Sequence, residues 1–251
     1  MKKFTQKFLL LSLLFLTVSL QGRTLYITRH GQVGDPAYKA FNGERALTGL
    51  GQQQAKQLGE YLKQQNFRGK VYVSPLYRTL QTAMNIADIT KSPVLVDPGL
   101  QEYSPVLPER NSGKYSICNE GMQFAEISKY FPEVSPSKRF VFPWRVMNEP
   151  ENMRHARSEK TVNAILTETS GDILLVGHSA TVKSLMLVLS KRAKQPVKAI
   201  PWNCCLITVT LDDNGQVIKY TEDTGKYLKP EQITNNFRTP LVPRPDDKRY
   251  R

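Results

Sequence analysis

An α/β fold, a three-layer α/β/α sandwich with a mostly parallel central sheet, is predicted by three features of this 251-residue sequence. Short apolar runs alternate with stretches in which apolar residues recur at helical spacing, the rhythm of successive βα units. Two of those runs, 24–28 and 172–176, stop at a glycine beside an imidazole: Arg29-His30-Gly31 and Gly177-His178-Ser179. A strand ending in reactive side chains sets them at the carboxyl edge of the sheet, where open α/β folds keep their ligands. The chain has only three histidines, so two of them at strand ends is informative.

After the first strand, residues 32–45 carry turn chemistry: Gly34, Asp35-Pro36 and Asn42-Gly43. Thr48 is the expected N-cap of a helix whose apolar positions Ala55, Leu58 and Leu62 share one face, with Asn66 and Gly69 ending it. Residues 70–73 form a strand. Ser74-Pro75 then reads as a cap with proline at the first helical position, opening a helix to about Ala87 with Arg78 in its first turn. Residues 94–96 make a third strand, leading to Leu100-Gln101-Glu102-Tyr103.

The rhythm breaks over 103–150, rich in Pro, Ser, aromatics and charge, with a helical piece at 121–131. A long connection of this kind reads as an insertion over the active-site edge of the sheet. Phe140, Phe142 and Trp144 are expected to pack it together. A helix over 151–169 follows, in which the charged run Arg154-His155-Ala156-Arg157 reads as a solvated face. Then come the second histidine strand, a helix over 180–189, and a hairpin of 206–210 and 216–220 around Asp212-Asp213-Asn214-Gly215. Residues 225–251, with seven cations against three acids, read as an irregular basic tail.

The chain therefore divides into an export signal over 1–22, one domain over 23–224, and the tail. Lys2, Lys3 and Lys7 precede an apolar stretch at 8–20, and about 13 apolar residues is too few to span a bilayer and fits a signal core. Export to the periplasm or beyond is expected, with an uncleaved membrane anchor as the alternative. The formal charge is +13, of which +10 lies beyond residue 22, and this favours anionic substrates. No nucleic-acid motif is present, and nucleic acid is not an expected partner. Cys118, Cys204 and Cys205 are an odd set, and adjacent cysteines in a strand point to opposite faces; they read as three buried thiols, with one bridge from Cys118 in an oxidising compartment as the alternative.

Arg29, His30, Arg78, Glu102 and His178 all leave the same sheet edge. Two guanidiniums give forked, permanently charged donors, and two helix N-termini add unpaired N–H groups, so the place suits a phosphate. A histidine there has two possible jobs, base or nucleophile. As nucleophile it would attack phosphorus, with Glu102 passing a proton to the leaving oxygen and His178 stabilising the charge on the equatorial oxygens. Activity would fall as His30 protonates below about 6.5. Gly177-His178-Ser179-Ala180 lacks the spacing of a nucleophile elbow, which removes a serine hydrolase.

TRHG at 28–31, ALTGLGQQQA at 46–55, SPLYRTLQTA at 74–83, LQEY at 100–103 and LLVGHSATV at 174–182 occur in this order. The set resembles the histidine phosphatase superfamily, in its phosphoglycerate mutase-like branch, over roughly 24–210. The resemblance implies His30 as the phosphorylated nucleophile, Arg29, Arg78 and His178 as the phosphate pocket, Glu102 as proton donor, and neither metal nor organic cofactor. Gln32 stands where this branch usually has glutamate, and Asn42 is the candidate for an asparagine missing from its usual place. The stretch after Glu102 and the helix start near 151 also depart from the pattern. These differences concern the substrate. The expectation is an exported phosphomonoesterase acting on a small anionic substrate, with a phosphomutase or a catalytically silent polyanion-binding protein as rivals.

Overall fold

The computed structural model describes residues 22–34, 45–103, 106–108, 115–117, 121–140 and 149–235. Segment 1–21, Asn42, Cys118, Phe142, Trp144 and the tail beyond 235 lie outside the described residues. No described helix is long and apolar enough to cross a membrane.

The elements run β1 (Arg23–Arg29), α1 (Gly49–Gln64), β2 (Lys70–Val73), α2 (Tyr77–Thr90), β3 (Val94–Val96), a small hairpin of β4 (Val106–Pro108) and β5 (Tyr115–Ile117), and α3 (Phe124–Tyr130). Then come β6 (Ser135–Pro136), α4 (Glu151–Glu168), β7 (Ile173–Gly177), α5 (Ser179–Ser190), β8 (Ile207–Leu211) and β9 (Val217–Glu222). Seven strands form one sheet in the order β6-β3-β2-β7-β1-β8-β9. The strands from β6 to β1 are parallel, while β8 and β9 close the far side antiparallel.

Period-two alternation buries both faces of the central strands, as parallel sheets require. Tyr26, Val71, Val73, Leu174 and Val176 meet Leu58 and Leu62 of α1 and Leu80 and Ile86 of α2. Leu25, Ile27, Tyr72, Ile173 and Leu175 meet Val162 and Ile165 of α4 and Val182, Leu185 and Leu189 of α5. Cys204 joins the first layer and Cys205 the second, both buried and free.

Three expectations need correction. Ser74 does not cap α2, which starts at Tyr77 after Leu76 without a side-chain cap, because Pro75 and Leu76 separate Ser74 from the first helical turn. The insertion contributes β6 to the sheet edge, two exposed residues with no apolar run to betray them. The segment after β9 is not simply irregular: it forms 3-10 turns at Thr224–Lys226 and Pro230–Gln232 and buries Leu228 and Thr234 completely or nearly so.

Candidate active site

Register brings the two strand-end histidines together. In β1 and β7, Arg29 is paired with Gly177, so His30 and His178, each one residue further on, emerge side by side. The His30 N–H donates to the Gly177 carbonyl at 3.0 Å. The two imidazole centroids lie 5.3 Å apart, tilted by 59°. Val73 of β2 is level with Val176 of β7, which sets Ser74 beside this pair, and Ser74 Oγ lies 2.8 Å from His178 Nε2.

The loop after His30 is fixed from both sides. The Gly31 N–H donates to Thr82 Oγ1 of α2 at 3.1 Å. The Gln32 N–H donates to Gln54 Oε1 of α1 at 2.8 Å, and the Thr48 N–H reaches the Gln32 carbonyl at 2.9 Å. Thr48 caps α1 by accepting from the Gly51 N–H at 3.0 Å. The two glycines face each other: a Cβ on Gly51 would stand 2.1 Å from the Gln32 carbonyl oxygen. Only a chain lacking that carbon lets α1 approach the histidine loop so closely.

His30 Nδ1 lies 2.8 Å from the carbonyl oxygen of Gly31. A carbonyl has no proton to give, so Nδ1 carries the hydrogen and the lone pair resides on Nε2. Burial first, then the Arg78 guanidinium, holds the His30 and His178 rings well below the ordinary histidine value. Both are neutral at pH 7. His178 Nδ1 is buried without a hydrogen-bond partner among the described residues. Such an atom costs about 1–3 kcal/mol until something pairs with it, and a bound oxyanion would do so.

Arg78, in the first turn of α2, is buried, and its charge acts on both imidazoles. Arg29 is buried too, its Nη1 donating to the Pro201 carbonyl at 2.8 Å and to Asn235 Oδ1 at 2.7 Å. Burial pushes its guanidinium down to about 10, opposed by the Glu102 carboxylate, so it remains cationic at neutral pH. Glu102 itself is partly exposed and accepts from the Tyr103 N–H at 2.9 Å. The described parts of the sequence-derived set thus converge; the candidate Asn42 lies outside the described residues.

Sequence reasoning missed two groups of residues. One is Arg157, whose Nη1 donates to the Gly99 and Gln101 carbonyls at 2.8 and 3.1 Å, while Thr181 of α5 donates to the Leu100 and Gln101 carbonyls at 3.2 and 3.1 Å. These bonds hold the segment that carries Glu102. The solvated-face reading of the 154–157 run is corrected accordingly: Arg154 lies over the Tyr103 ring at 5.8 Å and Arg157 is largely buried, and His155 is part-buried near Glu151. Helical spacing offered the signal, since Arg157, Thr161 and Ile165 share one stripe. The other group is polar: Asn203 donates to the His30 carbonyl at 3.1 Å, Thr234 donates to Asn203 Oδ1 at 3.1 Å, and Gln54 donates to Thr234 Oγ1 at 3.0 Å.

Comparison with known proteins gives the family and the fold. The family model described as the histidine phosphatase superfamily (branch 1) matches residues 25–224. A 6-phosphofructo-2-kinase/fructose-2,6-bisphosphatase of Caenorhabditis elegans is 24% identical over 191 residues, covering 74% of this chain and 38% of that protein. The chain therefore spans well under half the length of this curated relative. Among solved structures, the ecdysone phosphate phosphatase from Bombix mori, in complex with tungstate, superposes with a TM-score of 0.57 at 20% identity, covering 78% of this chain and 92% of that one. Bacillus stearothermophilus YhfR gives 0.52 at 22% identity, covering 77% and 93%. Both share the fold.

Proposed function

Because the chain belongs to the histidine phosphatase superfamily, branch 1, we propose that it hydrolyses phosphate monoesters through a phosphohistidine at His30. The observation that carries the reading is the 2.8 Å contact between His30 Nδ1 and the Gly31 carbonyl. It commits the lone pair to Nε2, on a ring that burial and Arg78 keep neutral.

In the first step the Nε2 lone pair forms a bond to phosphorus while the ester P–O bond breaks, and Glu102, in the form that carries a proton, passes it to the departing oxygen. Arg29, Arg78 and His178 hold the three equatorial oxygens as charge spreads over them. In the second step water attacks phosphorus, Glu102 takes its proton, and the P–N bond breaks to return His30 and release phosphate. The tungstate held by the Bombix mori phosphatase is a tetrahedral oxyanion, and an anion of that shape is the ligand we assign to this cradle. We place the working domain outside the cytoplasm, on the strength of Lys2, Lys3, Lys7 and the apolar 8–20 stretch. The mass of the mature protein recovered from a secreting cell tests that placement.

The decisive experiment incubates purified protein with p-nitrophenyl phosphate and with a 32P-labelled ester. Sustained phosphate release and an acid-labile, alkali-stable label that vanishes in His30→Ala are expected. Phosphoryl transfer to an added alcohol that outruns release would favour a mutase. Phosphate binding without turnover in either form would favour a silent binding protein.

A further inference from the structure

Arg29 does not rely on the core of the domain alone for its orientation. Both acceptors of its Nη1 come from late in the chain: the Pro201 carbonyl at 2.8 Å and the Asn235 side-chain oxygen at 2.7 Å. A guanidinium is planar, with five donors in a fixed fork. Holding one terminal nitrogen with two acceptors therefore fixes the direction in which the whole plane points.

Asn235 lies beyond the last residue matched by the family model, in a segment that is tied down residue by residue. Leu228 is buried against the core and Thr234 is fully buried. The Gln232 carbonyl accepts from Gln54 Nε2 at 2.6 Å, and the Thr234 carbonyl accepts from the Asn203 N–H at 2.9 Å. Gln54 and Asn203 also hold the Gln32 N–H and the His30 carbonyl, at 2.8 and 3.1 Å. The segment is thus anchored to the same two residues whose side chains fix the nucleophile's own loop. Tyr227 adds a bond from its hydroxyl to the Cys204 carbonyl.

We propose that Asn235 is a positioning residue for Arg29: the strap 228–235 carries its amide onto the guanidinium and sets how tightly the site holds a tetrahedral oxyanion. The inference rests on the reading of this site as a phosphoryl-binding one, and not on turnover. Asn235 acts through Arg29 and touches no reacting atom in the scheme.

Calorimetric titration of the full chain with inorganic phosphate and with tungstate tests it. A guanidinium no longer aimed at the site predicts that Asn235→Ala binds both anions about tenfold more weakly, beyond the small fall in melting temperature that the lost hydrogen bond itself causes. In an Arg29→Met background the Asn235→Ala change should have no further effect on anion affinity, because the group it acts through is gone. If Arg29→Met does not fold, Arg29→Lys, which lacks the fork, takes its place in the cycle. Unchanged anion affinity in Asn235→Ala, or an equal loss in the presence and absence of Arg29, overturns the proposal. A wild-type protein that binds phosphate but releases none from p-nitrophenyl phosphate would sink the hydrolase reading alone, and tenfold weaker binding by Asn235→Ala would still support this one.

Discussion

Arg157 forks onto Glu149 with Nε to Oε1 at 2.9 Å and Nη2 to Oε2 at 2.7 Å, and the carboxylate end of this pair is only 4% exposed. With its third nitrogen on the carbonyls ahead of Glu102, the side chain joins α4 to the acid loop. Removing one partner strands a buried charge, so Arg157→Ala should destabilise the fold by about 3–5 kcal/mol. Pairing it with Glu149→Ala should restore part of that loss without restoring kcat, since the carbonyls of Gly99 and Gln101 remain unheld. Denaturant unfolding alongside steady-state kinetics separates the two effects; equal recovery of stability and kcat would show that Arg157 has no part in placing the acid.

The depressed imidazoles make a second prediction, with its sign fixed by linkage. Below about 6.5 the unfolded chain takes up protons on His30 and His178, while the folded chain resists because burial and Arg78 disfavour the charged ring. The unfolded state then binds more protons, so stability rises with pH across that window and declines as pH falls through it. The decline reaches about 1.4 kcal/mol per pH unit for each histidine. His178→Gln should show a shallower fall in melting temperature between pH 7 and 5 than the wild type. The same shift revises the simple expectation for catalysis: the acid limb attributable to His30 belongs well below 6.5. A kcat/KM profile of the free enzyme that breaks near 6.5 on a histidine would contradict the burial argument.

What the sequence could disclose followed from where the signal is local. A buried strand announces itself by apolar alternation, and a breaker after it marks the edge, so Arg29-His30 and Gly177-His178 were legible and their parallel pairing followed from the βα rhythm. The register that sets the rings 5.3 Å apart is a consequence of that pairing. Ser74 misled because serine before proline satisfies the rule for a helix cap, yet the helix begins only at Tyr77 and the Ser74 hydroxyl meets His178 instead. Asn203, Thr234 and Gln54 left no trace, since polar residues that meet from distant parts of the chain have no periodicity. Arg157 was hidden by its charge: the run around it suggested solvent, while the helical stripe it shares with Thr161 and Ile165 runs into the core.

Gly51 should be the most sensitive position in α1. An alanine there would bring its Cβ to 2.1 Å from the Gln32 oxygen and 2.9 Å from the Gln32 nitrogen. Neither atom can yield freely, because one accepts from Thr48 and the other donates to Gln54. Overpacking of this kind costs about 1–3 kcal/mol or more, and the displaced backbone is the one that carries Gly31 and the His30 loop. Gly51→Ala should therefore lower the melting temperature and kcat together. Gly49→Ala, whose Cβ would meet nothing within 4 Å, serves as the control and should leave both unchanged; similar losses in the two variants would refute the close-approach explanation.

The role given to Glu102 has its own signature in the leaving group. Proton donation matters when the departing oxygen is a poor leaving group and hardly at all when it is stable as an anion. Glu102→Gln keeps an acceptor oxygen for the Tyr103 N–H, which now sits 2.9 Å from the carboxylate, but has no acidic proton to deliver. For an alkyl phosphate the variant should lose about 100-fold or more in kcat/KM, the range of general acid catalysis. For p-nitrophenyl phosphate the loss in kcat/KM should be far smaller, because its phenolate departs unaided. The second step needs Glu102 as base towards water, so a pre-steady-state burst of nitrophenol followed by slow turnover is expected, with phosphate accumulating on His30. Equal losses for both esters, with no burst, would mean that Glu102 serves the shape or charge of the pocket and moves no proton.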